Sequence, residues 1–223
     1  MKIIIFGSTG MVGKGILLEC LDDRRIDKVL VVNRSQVGIT NPKLKEFIQQ
    51  DLFDLSNLRE EFNGLGACFF PLGVSVIGMS EEAYTRITHD LTLYIAKMMA
   101  ELNPGMVFTY VSGVGTDSTE NGRSMWARVK GKTENDLMKL PFKGAYMFRP
   151  GYIQPLRGIK SKTGWYNALY IIFKPLYPLM KALSPKTVTT TTDVGKAMIY
   201  CALNGDEKKV VDVEEINRMA ELV

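Results

Sequence analysis

Residues 1–15 read MKIIIFGSTGMVGKG. Lys2 to Phe6 is rich in branched and aromatic side chains, the composition of a strand covered on both faces. The run breaks at Gly7, glycines recur at 10 and 13, and apolar residues then follow at helical spacing: Met11, Val12, Ile16, Leu17, Cys20 and Leu21. That order is a strand, a glycine turn and a helix. Glycine permits a tight backbone path and close approach to a ligand, while the free N–H groups and positive dipole end of a helix attract phosphate. Gly7, Ser8, Thr9, Gly10, Met11, Val12 and Gly13 are therefore the expected cradle of a dinucleotide pyrophosphate. The spacing is GxxGxxG, and a loop that merely packs a helix on a strand also uses glycine. The surrounding pattern has to decide between the two.

The chain has 223 residues, nearly half of them apolar, enough for one sizeable α/β domain. Its net charge of +4 comes from basic residues scattered among nearly as many acids, clustering only at Arg157 to Lys162. Nucleic-acid binding usually demands a concentrated patch, so no nucleic-acid partner is expected. Cys20, Cys68 and Cys201 lie in apolar contexts without a CxxC pair and read as buried free thiols, which suggests a reducing, cytoplasmic setting. No long apolar stretch ahead of a small-residue cleavage site indicates secretion. His89 is the single histidine, so a histidine triad or multi-histidine metal site has little material, and no metal is expected.

Lys28 to Val32 reads as a second buried strand ending at Asn33-Arg34-Ser35. In a dinucleotide fold this place, about 20 residues beyond the glycine loop, reads the adenosine ribose. An acid there accepts from free ribose hydroxyls and repels a 2′-phosphate; an arginine favours the phosphate. Asn33, Arg34 and Ser35 thus predict NADP over NAD. Further strands are expected at Glu46 to Gln50, Ala67 to Leu72, Met106 to Val111 and Ala145 to Phe148, with helices at Asp54 to Phe62, Glu81 to Asn103 and Ser124 to Leu140. Ligands of open parallel sheets lie beyond the carboxyl ends of the strands. Asp51 and Leu52, then Leu72, Gly73 and Val74, join the expected cofactor set on that rule, Asp51 being equally readable as a turn aspartate. On the long helix the stripe Tyr84, Ile87, Leu91, Tyr94, Ile95, Met98, Met99 and Leu102 is expected in the core, and His89, off that stripe, is expected in solvent.

Four motifs in order, GSTGMVG, YVSG ending the fifth strand, VKGKTE on the next helix and FRPG after the sixth strand, resemble the extended and atypical short-chain dehydrogenase/reductases. The likeness covers about Met1 to Gln154 and is strongest to the NAD(P)-binding Tat-interactive oxidoreductase group, itself similar to nucleoside-diphosphate-sugar epimerases. It implies a doubly wound Rossmann fold and a cofactor set that includes Pro150, Gly151, Tyr152 and Ile153. It also implies a catalytic serine, tyrosine and lysine, the last two four residues apart. Ser112 matches the serine and Lys130 the lysine; Trp126 stands at the tyrosine position. A phenol can be tuned to act as acid or base, whereas an indole N–H only donates. Either another group supplies the proton, with Ser112, Tyr110, Tyr152 or water as candidates, or catalysis is slow, or the protein binds cofactor without turning it over.

The expected architecture is one Rossmann domain over residues 1–223, with 152–223 forming a small substrate or lid lobe. The basic loop Gly158 to Gly164 and the aromatic segment Trp165 to Leu183 read first as a lid or a homodimer contact, with membrane-surface attachment as a rival. Two more helices, Asp193 to Asn204 and Val213 to Leu222, flank a short strand at Lys209 to Val211. Relatives that grip a nucleotide sugar are longer here, so the resemblance implies a small carbonyl or alcohol substrate. The functions in view are an NADP-dependent oxidoreductase, a catalytically weak NADP-sensing protein, and an epimerase-like enzyme.

Overall fold

The computed structural model describes residues 1–159 and 186–223. Its spine is a seven-stranded, all-parallel sheet. The strands are β1 (Lys2–Phe6), β2 (Lys28–Asn33), β3 (Leu44–Ile48), β4 (Ala67–Phe70), β5 (Val107–Val111), β6 (Gly144–Phe148) and, late in the chain, β9 (Val210–Val211). The spatial order is β3-β2-β1-β4-β5-β6-β9. A small parallel pair, β7 (Tyr152–Gln154) with β8 (Val188–Thr190), stands beside it.

Successive strand side chains point to opposite faces, so an unbroken apolar run serves two cores at once. Ile3 and Ile5 join Val29 and Val31 on one face, packed by Ile16, Leu17 and Cys20 of α1 (Met11–Asp22). The same core takes Val194 and Met198 of α5 (Thr191–Asn204) and Ile216 and Met219 of α6 (Val213–Ala220). Ile4, Phe6, Leu30 and Val32 face the other core, closed by Ile95 and Met99 of α3 (Leu91–Leu102) and Leu137 of α4 (Met125–Met138). The described late chain, which the sequence reading placed in a small lobe of the one domain, thus contributes to the first core. Most of the loop and all of the aromatic segment read as a lid or membrane contact lie outside the described residues.

Several boundaries move for local reasons. β4 stops at Phe70 because Pro71 has no N–H to give the ladder. β3 begins two residues early, at Leu44, since its pairing with β2 runs from Val29↔Leu44 to Asn33↔Ile48. It is an edge strand of half-buried residues, with a weak apolar signal. The helix at Asp54 to Phe62 is a 3₁₀ helix, Ser56–Phe62. α5 starts at Thr191, where the Thr190 side chain accepts from the Asp193 N–H.

The long helix is interrupted. Between α2 (Glu81–Thr85) and α3, Arg86–Asp90 forms a π turn in which the Leu91 N–H reaches back to the Arg86 carbonyl. The wide turn brings His89 round against α4. The expectation of a solvated His89 is corrected: its side chain is only 14% exposed and its ring nitrogens meet Asp90 at 2.7 Å and Asp136 at 3.0 Å. Tyr94, expected in the core, is partly exposed and rests on Phe53.

The glycine turn is tight enough to exclude side chains. Gly7 has φ +92°, and a Cβ on Gly13 would lie 2.2 Å from the Gly7 carbonyl oxygen. Gly13→Ala should push α1 off the turn and cost about 1–3 kcal/mol, the usual range for overpacking, read as a lowered midpoint in chemical denaturation. A midpoint equal to wild type would show that α1 does not need this contact.

Candidate functional site

At the carboxyl edge of the sheet, where the strand order reverses between β1 and β4, lies a cleft of about 450 Å³. The turn supplies Gly7, Thr9 and Gly10, the end of β2 supplies Asn33, Arg34 and Ser35, and Leu52, Leu72 and Gly73 close the far wall. A smaller hollow of about 150 Å³ continues from it, sharing Arg34, Leu52, Leu72 and Gly73 and adding Phe53, Val74, Ile87 and Leu91. The first is polar with a helix end at its base; the second is mostly apolar.

That helix end lacks a side-chain cap. Gly10 is the N-cap of α1, no side chain caps it, and the first turn holds no acid. The first amides of a helix have no partner within it. Ser80, Thr190 and Asp212 cap α2, α5 and α6 with their side chains, while α4, like α1, starts uncapped and without an acid. An uncapped, acid-free N-terminus beside a polar cleft suits an anion such as a pyrophosphate. Of the turn's other residues, Ser8 is fully buried and Gly13 packs behind the turn, while Met11 and Val12 open the helix and carry its first amides.

Other expected cofactor residues lie apart from the cleft. Asp51 lines neither hollow; it is exposed, and its Oδ1 accepts from the Phe53 N–H at 2.9 Å, a turn bond. Pro150 lends its carbonyl to the Val114 N–H, Gly151 leaves no room for a Cβ against the Thr187 carbonyl, and Tyr152 donates its hydroxyl to Gln154. Ile153 is buried in the small sheet. Gln50, Pro71, Phe53, Ile87 and Leu91 line the hollows without having been singled out. Gln50 follows from the strand-end rule once β3 is set back two residues. Ile87 depends on the π turn, for which the sequence carries no clear signal.

One strand along the same edge, Ser112 follows β5 and meets Lys130 of α4. The Lys130 ammonium donates to the Ser112 carbonyl, and the Ser112 hydroxyl donates to the Phe148 carbonyl at 3.1 Å. Burial pushes the Lys130 pKa down to about 8, against an upward pull from the buried carboxylate of Glu134 one turn on. Glu134 is itself paired with Arg149, which also donates to Ser118. Trp126 packs its ring edge against Gly115, whose φ is +85°.

The candidate proton donors divide clearly. Tyr110 is buried, with its hydroxyl bonded to Thr133, and desolvation raises its pKa far above the ordinary phenol value. Burial raises Tyr152 too. Neither is poised to ionise near neutrality. Lys130 is the one group of the Ser112–Trp126–Lys130 set that titrates close to it. Among the described residues no three His, Cys, Asp or Glu side chains gather as a metal site.

A parallel sheet in this order, with a glycine turn at its reversal point and helices on both faces, defines a Rossmann-type α/β fold. No protein-family model matches the chain. The chain is 28% identical over 220 residues to the mitochondrial protein FMP52 of Eremothecium gossypii, covering 96% of this chain and 94% of that one. To HTATIP2 of Rattus norvegicus it is 25% identical over 155 residues, 68% and 62% of the two chains. Among solved structures, Gre2 of Candida albicans in complex with NADPH superposes with TM-score 0.71 at 13% identity, covering 95% and 77%. WbmG of Bordetella bronchiseptica in complex with NAD gives TM-score 0.67 at 11% identity, covering 100% and 78%. The chain is thus similar along nearly its whole length to the FMP52 proteins and over about two thirds of it to HTATIP2.

The FMP52 relatives are named mitochondrial, which overturns the cytoplasmic expectation. Buried free thiols separate reducing from oxidising compartments and cannot tell one reducing compartment from another.

Lys130 allows a test of function against packing. Its folded pKa is lowered, so between pH 8 and the ordinary lysine value the unfolded chain holds more protons, and this residue's contribution to stability rises with pH there. Below about pH 8 the buried ammonium is a full cost. Lys130→Met should therefore melt no lower than wild type at pH 7, and the difference between the two proteins should shrink as pH climbs toward 10. A variant markedly less stable at pH 7 would make Lys130 a structural residue.

Proposed function

We propose that this protein binds NADP in preference to NAD and acts as an oxidoreductase on a small carbonyl or alcohol substrate. The observation that carries the reading is the uncapped, acid-free start of α1 at the cleft, with Arg34 on the facing wall and no acid at the end of β2. The α1 amides would take the pyrophosphate, Arg34 and Ser35 the ribose phosphate, and the apolar hollow beside Ile87 and Phe53 the flat adenine ring. The coenzyme, when bound, supplies or accepts a hydride.

Ser112 and Lys130 then serve the reacting end. The Ser112 hydroxyl donates toward a substrate oxygen once it leaves the Phe148 carbonyl, and the Lys130 ammonium holds the ribose and fixes the Ser112 backbone. With Trp126 in the tyrosine place, the proton has to come from Lys130 or from water it orders. A second reading, a coenzyme-binding protein that turns over slowly or not at all, is favoured by that same Trp126. A mitochondrial setting is carried over from the FMP52 relatives.

Tryptophan fluorescence titrated with NADPH and NADH in parallel should show NADPH binding about tenfold tighter, and Arg34→Ala should remove most of that difference, roughly 1.4 kcal/mol. Failure of both coenzymes to bind sinks the proposal; equal affinities sink the NADP preference alone. Trp126→Tyr should raise NADPH oxidation on a panel of small carbonyls by about tenfold to a hundredfold if the serine–lysine frame is otherwise intact. An inactive wild type joined by an inactive Trp126→Tyr supports the non-enzymatic reading.

A further inference from the structure

We propose that Glu46, on β3 and outside the cleft, is the positioning residue that sets the coenzyme choice made by Arg34. The inference rests on the coenzyme reading above and names what holds its selectivity in place.

Arg34 and Ser35 reach the cleft on a turn that leaves the sheet at Asn33 and is pinned again at Val37. One oxygen of Glu46 ties both ends: its Oε1 accepts from Asn33 Nδ2 at 3.1 Å and from the Val37 N–H at 3.0 Å. The other end of the Asn33 amide accepts from the Ser8 hydroxyl at 3.0 Å. The amide's orientation follows from chemistry, because an ionised carboxylate only accepts and so must face the NH₂ group. Ser8 and Asn33 are both buried. A single polar line therefore runs from the glycine turn through Ser8, Asn33 and Glu46 to Val37, joining the pyrophosphate side of the cleft to the ribose side.

The placement of the charge matters as much as the bonds. An acid at the end of β2 would face the ribose and repel a 2′-phosphate. Here the acid sits on the neighbouring strand, opposite Val31, with the Asn33 amide between it and the cleft. The turn gains a strong anionic acceptor, and the cleft wall keeps Arg34 as its charged group. β3 adds two lesser ties: the Gln49 N–H donates to the Asn33 carbonyl at 2.8 Å and Gln50 Nε2 to the Arg34 carbonyl at 2.9 Å. Neither grips both ends of the turn.

The test compares dissociation constants for NADPH and NADH on the full chain, with circular dichroism and melting as a check on folding. Glu46→Ala should weaken NADPH about tenfold and NADH less than about threefold, so that the preference falls; Glu46→Gln, which keeps an acceptor oxygen, should stay within about threefold of wild type for both. Should Glu46→Ala fail to fold, Asn33→Ala breaks the same line and should give the same fall in preference. A folded Glu46→Ala or Asn33→Ala that keeps the wild-type preference overturns the proposal alone. A wild type that binds neither coenzyme overturns the coenzyme reading and this proposal with it.

Discussion

The contact on which the carboxyl edge depends is the one between Gly13 and the Gly7 carbonyl. No side chain fits there, so the first turn of α1 lies flush on the loop that leaves β1. Because the helix sits so close, its uncapped amides open at the edge of the sheet where the strand order reverses, and the cleft forms around them. Gly7 makes the same demand from the other side: with φ +92° and Leu72 backbone atoms within 3 Å of where a Cβ would sit, it sets the loop against the end of β4. Two close backbone contacts that only glycine permits therefore set α1 and the end of β4 against the turn.

Beyond that edge the fold spends its polar groups unequally. At the end of β2, Ser8, Asn33 and Glu46 satisfy one another behind the wall, leaving Arg34 and Ser35 to face the cleft. Beside β5, the half-buried Lys130 bonds to the Ser112 carbonyl with the Glu134–Arg149 pair behind it. A lone lysine in such a place would lose its charge more completely; the Glu134 carboxylate holds its pKa near 8, where a small change in surroundings decides protonation. That balance is what a proton-transferring group needs, and a tryptophan beside it cannot supply it.

Much of the fold was legible because its strands are buried on both faces. Lys2–Phe6 and Lys28–Asn33 read as unbroken apolar runs, and the glycines after the first run mark the turn, so the doubly wound order followed with little freedom. The edge strand β3 was shifted because half its residues meet solvent and its register is dictated by β2. Of the residues named from the sequence, those local to one stretch, in the glycine turn and at Arg34 and Ser35, do line one cleft. The lining was not legible where it depends on packing between elements: Ile87 reaches the apolar hollow through the π turn, whereas Asp51, which the sequence left open between cofactor contact and turn aspartate, is used in its own turn.

The π turn is the sharpest case of that limit. A periodicity of 3.6 residues assigns each position a direction, and one turn closed from Arg86 to Leu91 changes the phase for all that follows relative to what came before. Tyr84 stays in the core on one side of it, and Leu91, Ile95 and Met99 do so on the other, so the core stripe survives. The residues inside the turn absorb the change. Arg86 lies over the Phe53 ring, Ile87 enters the apolar hollow, and His89 bonds to Asp136 on α4. Five residues thus connect the apolar hollow to the helix that carries Lys130, a link that no pattern of apolar spacing can express because it arises where the spacing breaks.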